Sequence, residues 1–254
     1  MRLSWRARLG VLLVAASAVL YLVHYLIFRD VYQVAVYGLS DLAFLPIEVL
    51  LVVIIIEEII SNQEKQSKLN KLNMVIGAYF SEVGTALLQA FSTVDPHVDR
   101  IRSELIVKGT WTGRDFLEAS ARLKQYDYCI AFDPRNPAVL HFLENLRDFL
   151  VSKREFLLGL LENPNLLEYE SFSEQLWAVF HLAEELAYRT DLAQLPDADY
   201  RHLATDSKRA YSALIVEWLK YMEHLWNRYP YLFSLALRTN PFDTTASPVI
   251  IDQG

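Results

Sequence analysis

Apolar and polar positions change their spacing once along this chain, and the change divides it into two parts. Residues 9–28, LGVLLVAASAVLYLVHYLIF, run twenty positions without a formal charge. At ~1.5 Å per residue a helix of that length covers ~30 Å, the hydrocarbon thickness of a bilayer. A second apolar run, LAFLPIEVLLVVIIIEEII over residues 42–60, is interrupted by Pro46 and Glu48 and closed by Glu57 and Glu58. The pattern predicts two membrane-spanning helices, about 9–28 and 42–60, paired as a transmembrane hairpin within residues 1–60. Beyond residue 60 apolar side chains recur at Leu69, Leu72, Ile76, Tyr79, Val83, Ala86 and Ala90. That 3–4 spacing is the seam of a helix packed in a bundle or coiled coil. Gly77, Ser81 and Gly84 form a neighbouring face of small residues on which a second helix could pack closely. A helix unbroken from the second span to about residue 91 is expected to couple the membrane to the C-terminal part of the chain.

Helical punctuation continues to the end of the chain. Thr112-Gly-Arg-Asp115 has capping-box spacing before a stripe of Phe116, Ala119, Leu123, Tyr126 and Ile130. Asp133-Pro134-Arg135-Asn136-Pro137 breaks the chain, with Asn136 a candidate N-cap and Pro137 at the first helical position of a helix reaching residue 162. Ser171-Phe-Ser-Glu174 repeats the box before a helix to about residue 189, and a last long helix is expected between Pro196 and Tyr229-Pro230. No alternating run outcompetes these patterns. The fold class is therefore all-α: a two-helix transmembrane hairpin, a cytoplasmic helical bundle over 61–242 and a C-terminal tail over 243–254.

Two segments, LNMVIGAYFSEVG at 72–84 and YPYLFSLALRTNPF at 229–242, resemble a group of uncharacterised two-span membrane proteins of bacteria and archaea. The resemblance extends over most of the chain and implies the same architecture, a helical cytoplasmic domain behind two spans. It brings no activity.

Charge orients the spans. Arg2, Arg6 and Arg8 precede the first and Lys65, Lys68 and Lys71 follow the second, whereas the connection has Arg29 alone against Asp30 and Asp41. The positive-inside rule then puts both termini in the cytoplasm and the protein in the cell membrane. Tyr21, Tyr25, Tyr32 and Tyr37 suit an outer aromatic belt. A cleaved signal peptide, with Ala16-Ser17-Ala18 as the cleavage site, is the alternative for the first run, but its length is that of an anchor. The net charge of -7 without a basic stripe argues against nucleic acid as a partner. A single cysteine, Cys129, excludes an intrachain disulfide and any multi-cysteine metal site within one chain.

Candidate chemistry is sparse. His24 and Glu48 are two polar groups inside the spans, and each is expected ~6–9 Å below the outer interface, near enough to pair or to be reached by water. His141/Glu144 and His181/Glu184, with Glu185 adjacent, set an imidazole and a carboxylate on one helix face, the geometry of a helix-bundle metal ligand pair. Their order is the reverse of the Glu-x-x-His used by di-metal bundles, and Glu82 and Glu217 are the further donors such a site would need. The expectation is that these faces do not converge and that no cofactor is held. Gly109-Thr-Trp-Thr-Gly113 is a turn, and no phosphate loop, HExxH or nucleophile elbow is present. The favoured function is a membrane-anchored interaction, scaffold or signal-relay module without catalysis, its partners being lipid and a second copy or another membrane protein. A metal-dependent helical-bundle enzyme and a small oligomeric ion-conducting protein are the alternatives.

Overall fold

The computed structural model describes residues 5–164, 166 and 169–249, with the side chains of 5–10, 28, 31, 33, 34, 66, 68 and 69 outside the description. Among the described residues the chain is mostly helical and contains no strand. It divides into two units, Met1–Gln66 and Ser67–Gly254.

The N-terminal unit holds α1 (Trp5–Phe28) and the first part of α2 (Val31–Tyr79). Only two residues separate them. Arg29 takes a left-handed backbone with φ 49°, its N–H donating to the Tyr25 carbonyl, which closes α1 in the manner of a glycine C-cap. Asp30 then accepts the Tyr32 N–H at 2.9 Å and starts α2. The connection expected over 29–41 is thus mostly helix, because one residue at positive φ followed by a capping aspartate turns the chain at once. Helix α2 continues through Pro46. From Ala35 it is long and apolar enough, by length and composition, to cross a membrane, and its most apolar stretch is exposed. Val11–Ile27 is a shorter apolar helix.

In the second unit α2 becomes core. Leu72, Ile76, Tyr79 and Val83 are buried within a single chain, so the seam is ordinary interior, while Leu69 lies outside the described side chains. A π-helical turn, Phe80–Gly84, then joins α2 to α3 (Thr85–Val94), its Thr85 N–H donating to the Phe80 carbonyl five residues back. The extra residue moves the buried face on by one position. Leu87, Leu88 and Phe91 are buried where the regular spacing predicts Ala86 and Ala90. Gly84 is required here: a Cβ would lie 2.5 Å from Phe80 Cδ1 and 2.9 Å from Tyr79 Cε1.

The remaining elements are α4 (Val98–Leu105), α5 (Gly113–Lys124), α6 (Pro137–Ser152), α7 (Arg154–Leu161), α8 (Glu170–Ala187), a 3-10 turn Leu192–Gln194, α9 (Asp197–Arg228) and α10 (Pro230–Arg238). Two caps form as expected. Thr112 donates its N–H and its hydroxyl to Asp115 Oδ2, both at 2.7 Å, and Asn136 accepts the Ala138 N–H at 3.0 Å ahead of Pro137. The Ser171 box does not: α8 starts at Glu170, and Ser171 instead receives Lys220 at 2.9 Å. Helix α5 ends at Lys124, short of Tyr126 and Ile130. These belong to an extended segment in which Tyr128, Ile130 and Phe132 are buried and Asp127 and Ala131 exposed, a period of two.

Helix α9 is the centre of the domain, packing on α3, α5, α8 and α10. Its side chains Tyr211, Leu214, Ile215, Trp218 and Met222 are buried. Tyr79 receives a 2.6 Å hydrogen bond from Gln175 of α8 inside this core, and burial pushes the phenol's pKa up. The segment 229–242 docks by α10 and by two residues after it. Asn240 donates to the Leu105 carbonyl at 2.8 Å, and Phe242 packs edge-on against Trp218.

Candidate metal centre

Helices α8 and α9 run antiparallel, as three cross-links show: Ser171 to Lys220, Arg189 to Asp199, and between them a cluster of imidazoles and carboxylates. The short connection over residues 188–196 forces this pairing. His181 and Glu185 stand one turn apart on α8, and His202 and Asp206 one turn apart on α9, so each helix presents a His-x-x-x-carboxylate face. The two faces meet. Asp206 Oδ2 lies 3.4 Å from His181 Nε2 and 3.3 Å from His202 Nε2. Glu185 Oε1 is 3.8 Å from His181 Nε2, and its Oε2 is 3.5 Å from His202 Nε2. One donor atom from each of His181, His202 and Asp206 falls within 4.8 Å of the others.

Burial and charge set the character of the cluster. The imidazoles are about half exposed, but the Asp206 side chain is 3% exposed. Arg209 donates to Asp206 Oδ1 at 3.0 Å, and Oδ2 has no hydrogen-bond partner. Arg189 donates to Glu185 at 2.7 Å and to both oxygens of Asp199, at 2.6 and 2.7 Å. These guanidinium bonds hold the carboxyls of Glu185 and Asp199 below their usual range. Three carboxylates thus share two guanidiniums, and an excess of negative charge faces the imidazoles. His181 and Arg209 also line a groove of about 850 Å³ that includes Trp177, Tyr128, Glu174 and Ser212.

The other anticipated donors go elsewhere. His141 is hydrogen-bonded to Asn145 at 3.0 Å, and Glu144 is exposed on the same helix. Glu184 pairs with Arg154 at 2.8 Å, Glu82 with Lys153 at 2.8 Å and the buried Glu217 with Lys220 at 2.7 Å. The two His-x-x-Glu faces therefore do not share a site. Sequence reasoning misses His202 and Asp206, which carry the same four-residue spacing as His181 and Glu185 across a short connection. Within the N-terminal unit His24 stacks edge-on against Tyr37, and Tyr21 donates to Asp41 at 3.1 Å. Glu48 is exposed and does not line the cavity these residues form. Since α2 begins at Val31 rather than 42, Glu48 lies ~25 Å along its helix, out of register with His24.

Two family models match the chain, the MJ1433 N-terminal helical domain over residues 1–60 and the C-terminal helical domain of uncharacterized protein MJ1433 over 68–238. A relative from Methanocaldococcus jannaschii, named "Uncharacterized protein MJ1433", is 44% identical over 245 residues, covering 96% of this chain and 95% of its own. The chain belongs to the MJ1433 family. No solved structure matches it. The boundary between the two MJ1433 family domains, 60 to 68, brackets the division between the structural units at residue 66. The cluster, from His181 to Asp206, lies within the MJ1433 C-terminal domain.

Proposed function

We propose that the protein is a two-pass protein of the cell membrane, its two N-terminal helices crossing as a hairpin with both termini in the cytoplasm, and that its helical domain acts there as an interaction or relay module. The observation that supports this reading is the surface of the N-terminal unit. Val14, Leu20, Ile27, Leu42, Leu50 and Ile55 are all exposed, and so are most of the apolar residues between them. An apolar band of that extent is far beyond what a soluble surface carries, and it calls for lipid or another apolar surface. The relay element is α2, which contributes both to that band and, from Leu72 onward, to the core of the second unit. The partner is a second copy or another membrane protein, because lipid-facing helices that leave Tyr21, Asp41 and His24 on one side offer polar contacts for association.

Extraction and topology test the reading together. The full-length protein should stay with membranes through alkaline carbonate washing. Reporters fused after Ser61 and Gly254 should read cytoplasmic, and one inserted at the Arg29–Asp30 break should read external. Release by carbonate, or an external C-terminus, overturns the placement.

A further inference from the structure

We infer that His181, His202 and Asp206 are the ligands of a divalent transition-metal site, with zinc the ion that fits best, formed where α8 and α9 face each other. This is independent of the membrane placement. Four observations converge on it.

The first is spacing. Ligands held ~2.0–2.2 Å from a tetrahedral ion stand ~3.3–3.6 Å apart, and Asp206 Oδ2 is 3.4 and 3.3 Å from the two Nε2 atoms. The second is the bare oxygen. Asp206 is almost wholly buried, and of its two oxygens only Oδ1 is hydrogen-bonded, by Arg209, while Oδ2 is turned between the imidazoles without a hydrogen-bond partner. A buried carboxylate oxygen without a bond is expensive, and a cation completes it. The third is charge: Glu185, Asp199 and Asp206 outnumber Arg189 and Arg209, leaving room for added positive charge. The fourth is support. Arg209 fixes the ligating carboxylate and Arg189 fixes Glu185 beside it, the outer contacts that orient metal ligands.

Donor chemistry selects the ion. Two imidazole nitrogens with a carboxylate suit zinc and its neighbours, whereas magnesium and calcium demand oxygen ligands. Glu185, 3.8 Å from His181 and 3.5 Å from His202, offers a further oxygen that can approach the ion or leave that position to water. Bound metal would tie the two helices at a point between their other cross-links.

The test uses the full-length protein in detergent, stripped with EDTA and dialysed against Zn2+, Co2+ or Mg2+. Zn2+ should be retained at one ion per chain by elemental analysis and should raise the unfolding temperature. Co2+ should develop the visible bands of a tetrahedral ion, and Mg2+ should not displace it. H202Q removes a half-exposed ligand and D206N a charge, and each should weaken Zn2+ binding by about 100-fold or more with helix content unchanged. H141Q, on a different helix, should bind as the parent does. Failure of the parent protein to retain Zn2+, or equal retention by H202Q with its fold intact, overturns the site.

Discussion

Ile55 and Ile76 are the same residue on the same helix, about six turns apart, and they are 58% and 4% exposed. Nothing intrinsic to isoleucine or to α2 accounts for the difference. Among the described side chains of the first unit the large apolar ones are exposed, and Tyr21 donates across to Asp41 of the neighbouring helix. In the second unit the apolar stripes of most helices are buried in a common core. Leu72, Ile76 and Tyr79 of α2 and Val83 of the π turn are covered by the folded domain, with Phe172 of α8 edge-on to Tyr79 and Tyr221 of α9 stacked on Phe80. The two units are thus solutions for different surroundings. The second carries its own interior, whereas among the described side chains of the first none is buried.

The sharpest way to break this contrast is to truncate the two isoleucines. Ile76→Ala should destabilise the second unit by ~2–5 kcal/mol in denaturant unfolding, the usual loss for a buried large-to-small change. Ile55→Ala should leave that unfolding within ~0.5 kcal/mol. Equal effects would mean that the band around Ile55 is covered in the folded protein after all.

A smaller effect is expected at the π turn, where Gly84→Ala would push a methyl into the Phe80 and Tyr79 rings. Overpacking of this kind costs ~1–3 kcal/mol, read as a lowered denaturation midpoint with the slope unchanged. A neutral result would show that the rings can step aside.

The smallest concerns the Arg189 network. Glu185 and Asp199 have folded pKa values below their ordinary ones, so their stabilisation is complete above the usual carboxylate range and is lost as pH falls through the lowered values. Arg189→Met should remove ~1–2 kcal/mol near neutrality and flatten the acid limb of the stability profile. A parallel shift of the whole profile, with the acid limb unchanged, would mean that Arg189 acts by packing alone.

Much of the second unit is legible in the sequence because its helices carry strong end signals. Thr112 with Asp115, and Asn136 with Pro137, mark starts that backbone hydrogen bonding makes nearly obligatory. The seam from Leu72 to Val83 is legible for its spacing, and it goes out of step at Phe80–Gly84 because a π turn is a matter of ring packing around Gly84 rather than of periodicity. The segment 126–132 reads as helix and is not: its aromatic and β-branched residues satisfy both periods, and only the end of α5 at Lys124 decides between them. For the cluster, spacing at three residues draws attention to Glu184, whereas the ion pair with Arg154 takes Glu184 away and the four-residue neighbour Glu185 faces His181. His202 and Asp206 enter only through the antiparallel docking of α8 and α9, a tertiary fact that no single stretch of sequence carries.

The Arg29–Asp30 break has a consequence for how a membrane-anchored protein of this design is addressed. With one helix ending at Phe28 and the next starting at Val31, the proposed hairpin presents almost no ectodomain to the outside. Two residues can neither enclose a soluble ligand nor carry a receptor surface. In the proposed topology a stimulus would therefore arrive laterally, from lipid or a neighbouring helix, or from the cytoplasmic side, where the second unit would meet metal ions.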